Sequence, residues 1–171
     1  MRHNKTRSLL FGVGLVLLIV FAVYKVGRIF FSGGTDPFAE TYDFNAPEED
    51  VIKAIKTLKQ QNPDLAPPAY LKDFIRIEGG RNDAYKYLVY FYYKKENRVL
   101  ETWTRPNKEY GTMLAFVAVN DNLSLKNWED GMHDFGWKTI NDDYWFWENR
   151  KLKKQFEERI VSKIRTILQA Q

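Results

Sequence analysis

An apolar run near the N-terminus limits what this chain can fold into. Residues 9–24 contain no charged side chain, and the run continues to Phe31 with Lys25 and Arg28 as its only charges. As a helix, the 23 residues from Leu9 to Phe31 would be about 34 Å long, enough to cross a hydrocarbon core of about 30 Å. The sequence therefore predicts a transmembrane helix at residues 9–31.

Two other interpretations of this run stay open. A short basic segment followed by an apolar core also describes a cleaved secretory signal peptide, and Val20-Phe21-Ala22 loosely fits a cleavage site. A buried helix of a soluble protein is the other alternative, although sixteen successive uncharged residues are unusual there. Lys25 and Arg28 fit a membrane span because long side chains near its end carry their charge to the headgroups. We prefer the uncleaved signal-anchor.

The charges on either side of the run predict its orientation. Arg2, Lys5 and Arg7 precede it, whereas residues 32–50 contain six acidic residues and neither Lys nor Arg. The positive-inside rule places the N-terminus in the cytoplasm. The chain then divides into a cytoplasmic tail (1–8), a single membrane span (9–31), a linker (32–44) and a periplasmic or extracellular domain (45–171).

The composition narrows the class of function. A formal net charge of +4 over 171 residues is too small to indicate a nucleic-acid partner. The absence of cysteine excludes a disulfide and a thiolate metal site. Aromatic residues make up 16% of the chain. They indicate either a small core packed with large rings or an aromatic groove for a peptide, glycan or partner strand.

The pattern of residues 45–171 predicts an α+β domain. A helix should begin near Asn45 and end at Gln61, since apolar side chains recur there at helical spacing. Strands are expected at 70–77, 85–93, 99–104, 111–119 and 137–140, with a polar hairpin tip at 94–97. Residues 144–147 form another strand or lead into a final helix, whose apolar face runs from Leu152 to Leu168. The expected fold is an antiparallel sheet flanked by an N-terminal and a C-terminal helix.

The expected domain contains two clusters of polar side chains that resemble metal or acid–base sites. His133 is the sole histidine of the expected domain and lies among Glu129, Asp130 and Asp134. A zinc site usually needs several His or Cys ligands, so this cluster and the segment 141–143 are both interpreted as polar surface loops. No nucleophile motif accompanies His133. The sequence thus predicts no catalytic, cofactor-binding or metal-binding residue.

Together these features predict a single-pass membrane protein with a non-catalytic binding or assembly module of the cell envelope. Its partners would be the bilayer, through residues 9–31, and an envelope protein. The alternatives are an envelope enzyme or regulatory subunit acting on glycan, peptidoglycan or lipid, and a membrane-held immunity protein. The aromatic residues expected to bind a partner are Tyr90, Tyr92, Trp103, Trp145 and Trp147.

Overall fold

The computed structural model of the chain describes residues 12–23, 36–71, 86–107, 111–121 and 136–170. The chain divides into two compact units, Met1–Pro37 and Phe38–Gln171. In the first unit, residues 12–23 form a helix with exposed side chains, about 18 Å long. Among the described residues, no helix combines the length and the hydropathy needed to cross a membrane. Residues 9–11 and 24–31 of the expected span lie outside the described ranges.

In the described residues of the second unit, five antiparallel strands form a sheet. They are β1 (Glu40–Phe44), β2 (Tyr87–Tyr93), β3 (Arg98–Pro106), β4 (Thr112–Asn120) and β5 (Trp137–Thr139). The order is β1-β4-β3-β2, and β5 also pairs with β4. Because β3 pairs along the whole of β4, strands β1 and β5 lie one after the other along the opposite edge of β4.

A β-bulge in β4 separates these two pairings. Glu101 and Thr102 of β3 face Ala118 and Phe116, so the intervening Val117 has no partner in the β3 ladder. The Val117 carbonyl instead accepts a hydrogen bond from the backbone N–H of Ile140 at 2.9 Å. The bulge therefore fixes the point at which the chain leaves β5 and turns toward the last helices.

The part of the second unit that the structure describes also contains three α-helices: α1 (Glu48–Gln61), α2 (Phe146–Phe156) and α3 (Ser162–Gln169). The first turn of α1 carries Glu48, Glu49 and Asp50, whose negative charge stabilises the positive end of the helix. A π-helical turn at Glu157–Val161 joins α2 to α3, so the chain stays helical from 146 to 169. Short 3-10 turns occur at Pro63–Leu65 and Ala69–Leu71.

The helices cover one face of the sheet. Phe156 of α2 is fully buried and stacks on Phe116 of β4, with ring centroids 4.5 Å apart. Its ring also meets Phe91 edge-on at 6.1 Å and lies 5.5 Å from the ring of Tyr42. Large rings in such contact bury 150–250 Å² each, which makes this cluster the main apolar core. Helix α1 adds the buried side chains Val51, Ala54, Ile55 and Leu58.

The opposite face of the sheet is buried as well. Along β2, Leu88, Tyr90 and Tyr92 belong to a second cluster, while Val89, Phe91 and Tyr93 belong to the first. This division follows the two-residue period of a strand. Leu71 is buried in the second cluster, and Trp137 packs against it. Burial on both faces explains why β2 consists almost entirely of bulky side chains.

The observed sheet and flanking helices confirm the predicted α+β class. Strand β1 lies within residues 32–44, which the sequence indicated as a linker, because its backbone pairs with β4 and its Tyr42 and Phe44 side chains pack in the main apolar core. The expected strand at 70–77 is wrong for Tyr70 and Leu71: the Leu71 N–H bonds to the Pro68 carbonyl and closes a 3-10 turn. Residues 72–77 are not among those the structure describes.

Candidate interaction surface

The five aromatic residues singled out from the sequence lie in two environments. Tyr90, Tyr92 and Trp103 are buried in the second cluster, with 1%, 8% and 5% of their surface exposed. Trp145 and Trp147 are 76% and 66% exposed. A buried ring cannot meet a partner without rearrangement of the sheet, so the structure presents only Trp145 and Trp147 at a surface.

The three buried rings make contacts within the sheet. The ammonium of Lys86 and the guanidinium of Arg105 lie 4.7 Å and 5.1 Å from the centroid of the Trp103 ring. The Tyr92 hydroxyl donates a hydrogen bond to Oδ1 of Asn97 at 2.8 Å, which ties the strand to the hairpin turn. Such cation–π and hydrogen-bond contacts stabilise the fold.

Phe146, which the sequence analysis did not single out, extends the exposed surface. It is 63% exposed, and its ring lies 4.9 Å from that of Trp147 at an interplanar angle of 77°. We call Trp145, Phe146 and Trp147 the aromatic turn. In the described part of the second unit, these are the large hydrophobic side chains that face solvent. Three adjacent exposed rings form an apolar patch of the kind found at interaction sites.

The aromatic turn is exposed because α2 begins before it reaches the core. Trp145 is the extended N-cap residue, with φ −63° and ψ 150°, and the helix starts at Phe146. The first buried side chain of α2 is that of Leu152, about 9 Å further along the helix axis. The initial turns of α2 therefore carry their side chains outside the hydrophobic clusters.

Trp145 is also an unusual residue for its position. N-cap positions favour Ser, Thr, Asp and Asn, whose side-chain oxygens accept hydrogen bonds from the first helical N–H groups. An indole has only an N–H donor, and no side-chain cap hydrogen bond is present at Trp145. The stability of α2 therefore does not explain why this position holds tryptophan.

Asn141 holds the beginning of α2 against β1. Its Nδ2 donates hydrogen bonds to the Phe38 carbonyl and to Oε2 of Glu40, both at 3.0 Å. Its Oδ1 accepts hydrogen bonds from Nδ2 of Asn149 at 2.8 Å and from Nζ of Lys153 at 3.1 Å. All four hydrogen-bonding positions of the amide are thus filled.

Two further observations show that Asn141 is a structural residue. Its φ of 66° lies in the left-handed region, which Asn adopts more readily than most residues. Lys153 also pairs with Glu40 at 3.1 Å, closing the network between α2 and β1. The sequence indicated a polar surface loop at 141–143. The network was not recognised because its partners are distant in sequence.

A second polar contact joins the π-helical turn to the β2–β3 hairpin. Nη1 of Arg159 lies 2.8 Å from Oε1 of Glu96, and its guanidinium is 4.7 Å from the centroid of the Tyr93 ring. Burial acts to raise the pKa of Glu96, but the hydrogen bond and charge of Arg159 outweigh it and lower that pKa. Burial raises the pKa of the Tyr93 hydroxyl above its usual range. The contact therefore ties the π-helical turn to the β2–β3 hairpin.

An open cavity of about 500 Å³ lies between the beginning of α1 and the end of α3. Its lining includes Asp43, Asp50 and Arg165, and the guanidinium of Arg165 lies 5.7 Å from the centroid of the Phe44 ring. The Asp43 carboxylate accepts a hydrogen bond from Nδ2 of Asn107 at 2.9 Å. Ser, Thr, Cys and His are absent from the described residues that line the cavity.

Within the described ranges, no group of three or more His, Cys, Asp or Glu side chains is placed to hold a metal ion. The cluster of His133 with Glu129, Asp130 and Asp134 lies outside those ranges. Of the surfaces described above, the aromatic turn is therefore the strongest candidate for interaction. Comparison of the chain with protein-family models, with curated proteins and with solved structures found no match.

Proposed function

We propose that this protein is a single-pass membrane protein whose α+β domain is a non-catalytic binding or assembly module of the cell envelope. The observation that carries this proposal is the exposure of the aromatic turn on a domain whose described strand aromatics are buried or half-buried. Apolar patches of adjacent rings cost solubility and are typical of contact surfaces. The tryptophan at the N-cap supports the same conclusion, because a capping residue would stabilise the helix better.

The membrane anchor is supported by the sequence. Residues 9–31 are long enough to span a bilayer, and the described helix at 12–23 consists of uncharged residues throughout. Basic residues precede the run and acidic residues follow it, which favours a cytoplasmic N-terminus and an extracytoplasmic domain.

The absence of cysteine allows a direct test of the anchor and its orientation. Single-cysteine variants Asn4→Cys and Lys163→Cys of the full chain would be labelled on intact cells with a membrane-impermeant maleimide. Lys163 is exposed on α3, so its variant should be labelled, whereas Asn4→Cys should react only after the membrane is permeabilised. The chain should also stay with the membrane after carbonate extraction. Release of the full-length chain, or labelling of Asn4→Cys on intact cells, would contradict the proposal.

A photo-crosslinking phenylalanine analogue tests the contact surface. Placed at position 146 of the full chain, it should form adducts in intact cells, identified by mass spectrometry as a protein or a lipid. The matched control carries the same analogue at Lys163, an exposed position away from the aromatic turn. Equal adduct yields at the two positions would show that the aromatic turn is not the contact surface.

A further inference from the structure

We infer that the aromatic turn rests on the interfacial zone of the same bilayer that holds residues 9–31. This inference builds on the membrane anchor proposed above and names lipid as the partner of the aromatic turn. It follows from three observations: the length of chain before the domain, the place where that chain enters it, and the chemistry of the exposed rings.

The chain before the domain is short. Six residues separate Phe31, the last residue of the proposed span, from Phe38, the first residue of the second unit. Fully extended, this stretch reaches at most about 25 Å. A domain tethered so closely samples the membrane surface at high effective concentration, so even a weak contact with lipid would be occupied.

The chain enters the domain next to the aromatic turn. The Phe38 carbonyl accepts a hydrogen bond from Nδ2 of Asn141 at 3.0 Å, and Oδ1 of Asn141 accepts one from Nδ2 of Asn149 at 2.8 Å. The backbone N–H of Asn149 in turn donates to the Trp145 carbonyl at 2.9 Å. Three hydrogen bonds thus connect the first residue of the domain to the first residue of the aromatic turn. A tether that keeps Phe38 near the membrane keeps Trp145 there too.

The side chains of the aromatic turn suit the boundary between headgroups and acyl chains. Tryptophan is enriched at membrane interfaces because its ring is apolar and its N–H is polar, and phenylalanine is common on the buried face of interfacial helices. The charges around the turn have both signs. They are four exposed cations, Lys138, Arg150, Lys151 and Lys154, and three exposed acids, Asp142, Asp143 and Glu148. An excess of one cation gives little preference for an anionic surface. The contact should therefore depend on the rings and not on anionic lipid.

Fluorescence quenching in reconstituted vesicles tests the inference. The full chain would be placed in phosphatidylcholine vesicles containing lipid brominated near the top of the acyl chain. The difference in tryptophan fluorescence between the original chain and the double variant Trp145→Phe/Trp147→Phe gives the signal of the two exposed indoles. We expect brominated lipid to quench about half of that signal or more, since interfacial rings lie about 5–10 Å into the headgroup–acyl boundary. Added phosphatidylglycerol should leave the quenching unchanged.

The matched control is Trp137→Phe, which removes a half-buried indole whose ring lies 6.2 Å from Tyr90. The signal it removes should be insensitive to brominated lipid.

If vesicles float with the chain but the Trp145 and Trp147 signal is not quenched, the inference is wrong while the anchor stands. Quenching that requires phosphatidylglycerol would also overturn it, because the cations would then drive contact. If the chain does not float with the vesicles, the proposed anchor itself fails. A protein adduct in place of a lipid adduct at position 146 would assign the surface to a protein partner.

Discussion

The aromatic residues of β2 and those of the aromatic turn are alike in sequence and opposite in environment. Tyr90, Phe91 and Tyr92 follow one another in a strand, and all three are buried. Trp145, Phe146 and Trp147 follow one another at a helix start, and all three are exposed. Strand β2 is covered on both faces and buries every residue after Tyr87, whereas the first turn of α2 carries its rings outside the hydrophobic clusters. What surrounds an element, and not its local composition, decides whether its rings form core or surface.

Removing one phenylalanine from each environment is the most direct test of this difference. Phe156→Ala removes a fully buried ring that stacks on Phe116, and we expect it to cost about 3–5 kcal/mol of unfolding free energy. Phe146→Ala makes the same chemical change at an exposed position and should cost less than about 0.5 kcal/mol. Urea denaturation of the two variants in the same detergent measures both values. Similar losses would mean that the aromatic turn contributes to the core.

The next largest effect is expected at Asn141, which joins the domain's first residue to the aromatic turn. Asn141→Ala removes four side-chain hydrogen bonds and leaves at φ 66° an alanine, which tolerates the left-handed region less well than asparagine, and we expect a loss of about 2 kcal/mol. Asn141→Gly keeps the left-handed backbone without strain but loses the same hydrogen bonds. If the network dominates, the Gly variant should lose nearly as much as the Ala variant.

Hydrogen exchange distinguishes a local from a global effect of these variants. Loss of the Asn141 network should speed exchange of the backbone amides in the first turns of α2, because Asn149 and Lys153 lose their partner. Amides in β3 and β4 should be affected only through the global change in stability. A Gly variant with the stability of the original chain would assign the role of Asn141 to backbone conformation alone.

Trp145 provides a test in which a substitution should stabilise the fold. It is the N-cap residue of α2 and makes no side-chain cap hydrogen bond, so Trp145→Asp should raise the unfolding free energy by about 0.5–1 kcal/mol. Trp145→Asn supplies the capping hydrogen bond without the negative charge that is favourable at the helix N-terminus, and Trp145→Ala supplies neither. Thermal denaturation of the three variants gives the order. A destabilised Asp variant would show that the Trp145 ring packs on the domain.

Elements with strong periodicity were predictable from the sequence. The spacing of Val51, Ile55 and Leu58 indicated α1, and the bulky run at 85–93 indicated β2 to within two residues. Strand β1 was missed because it has only five residues, three of them polar, and gains its stability from pairing with β4. A short edge strand of this kind is defined by its neighbour and carries little signal of its own.

The candidate site was only partly predictable, because its residues too are defined by the neighbours that the fold brings to them. Trp145 and Trp147 were singled out together with Tyr90, Tyr92 and Trp103, since nothing local distinguishes an exposed ring from a buried one. The role of Asn141 depends on Phe38 and Glu40, which are 103 and 101 residues away along the chain. Contacts over such separations appear only when the sheet brings β1 beside the turn that follows β5.

The smallest effect is expected at the β2–β3 hairpin. There Arg159 contacts the ring of Tyr93, a strand aromatic, and also pairs with Glu96. Because the pKa of Glu96 is lowered in the folded state, its ionised form stabilises the fold above the unfolded-state pKa. This contribution disappears as the pH falls through the folded-state pKa. Glu96→Gln should therefore cost about 0.5 kcal/mol near pH 7, a value suited to a partly exposed pair, and less near pH 3, which lies below the usual Glu pKa of about 4.3. Melting curves across this range should show the original chain and the Glu96→Gln variant converging at low pH.

In an Arg159→Gln background, Glu96→Gln should have no effect at either pH, and a persistent difference there would assign the stabilisation to other contacts of Glu96.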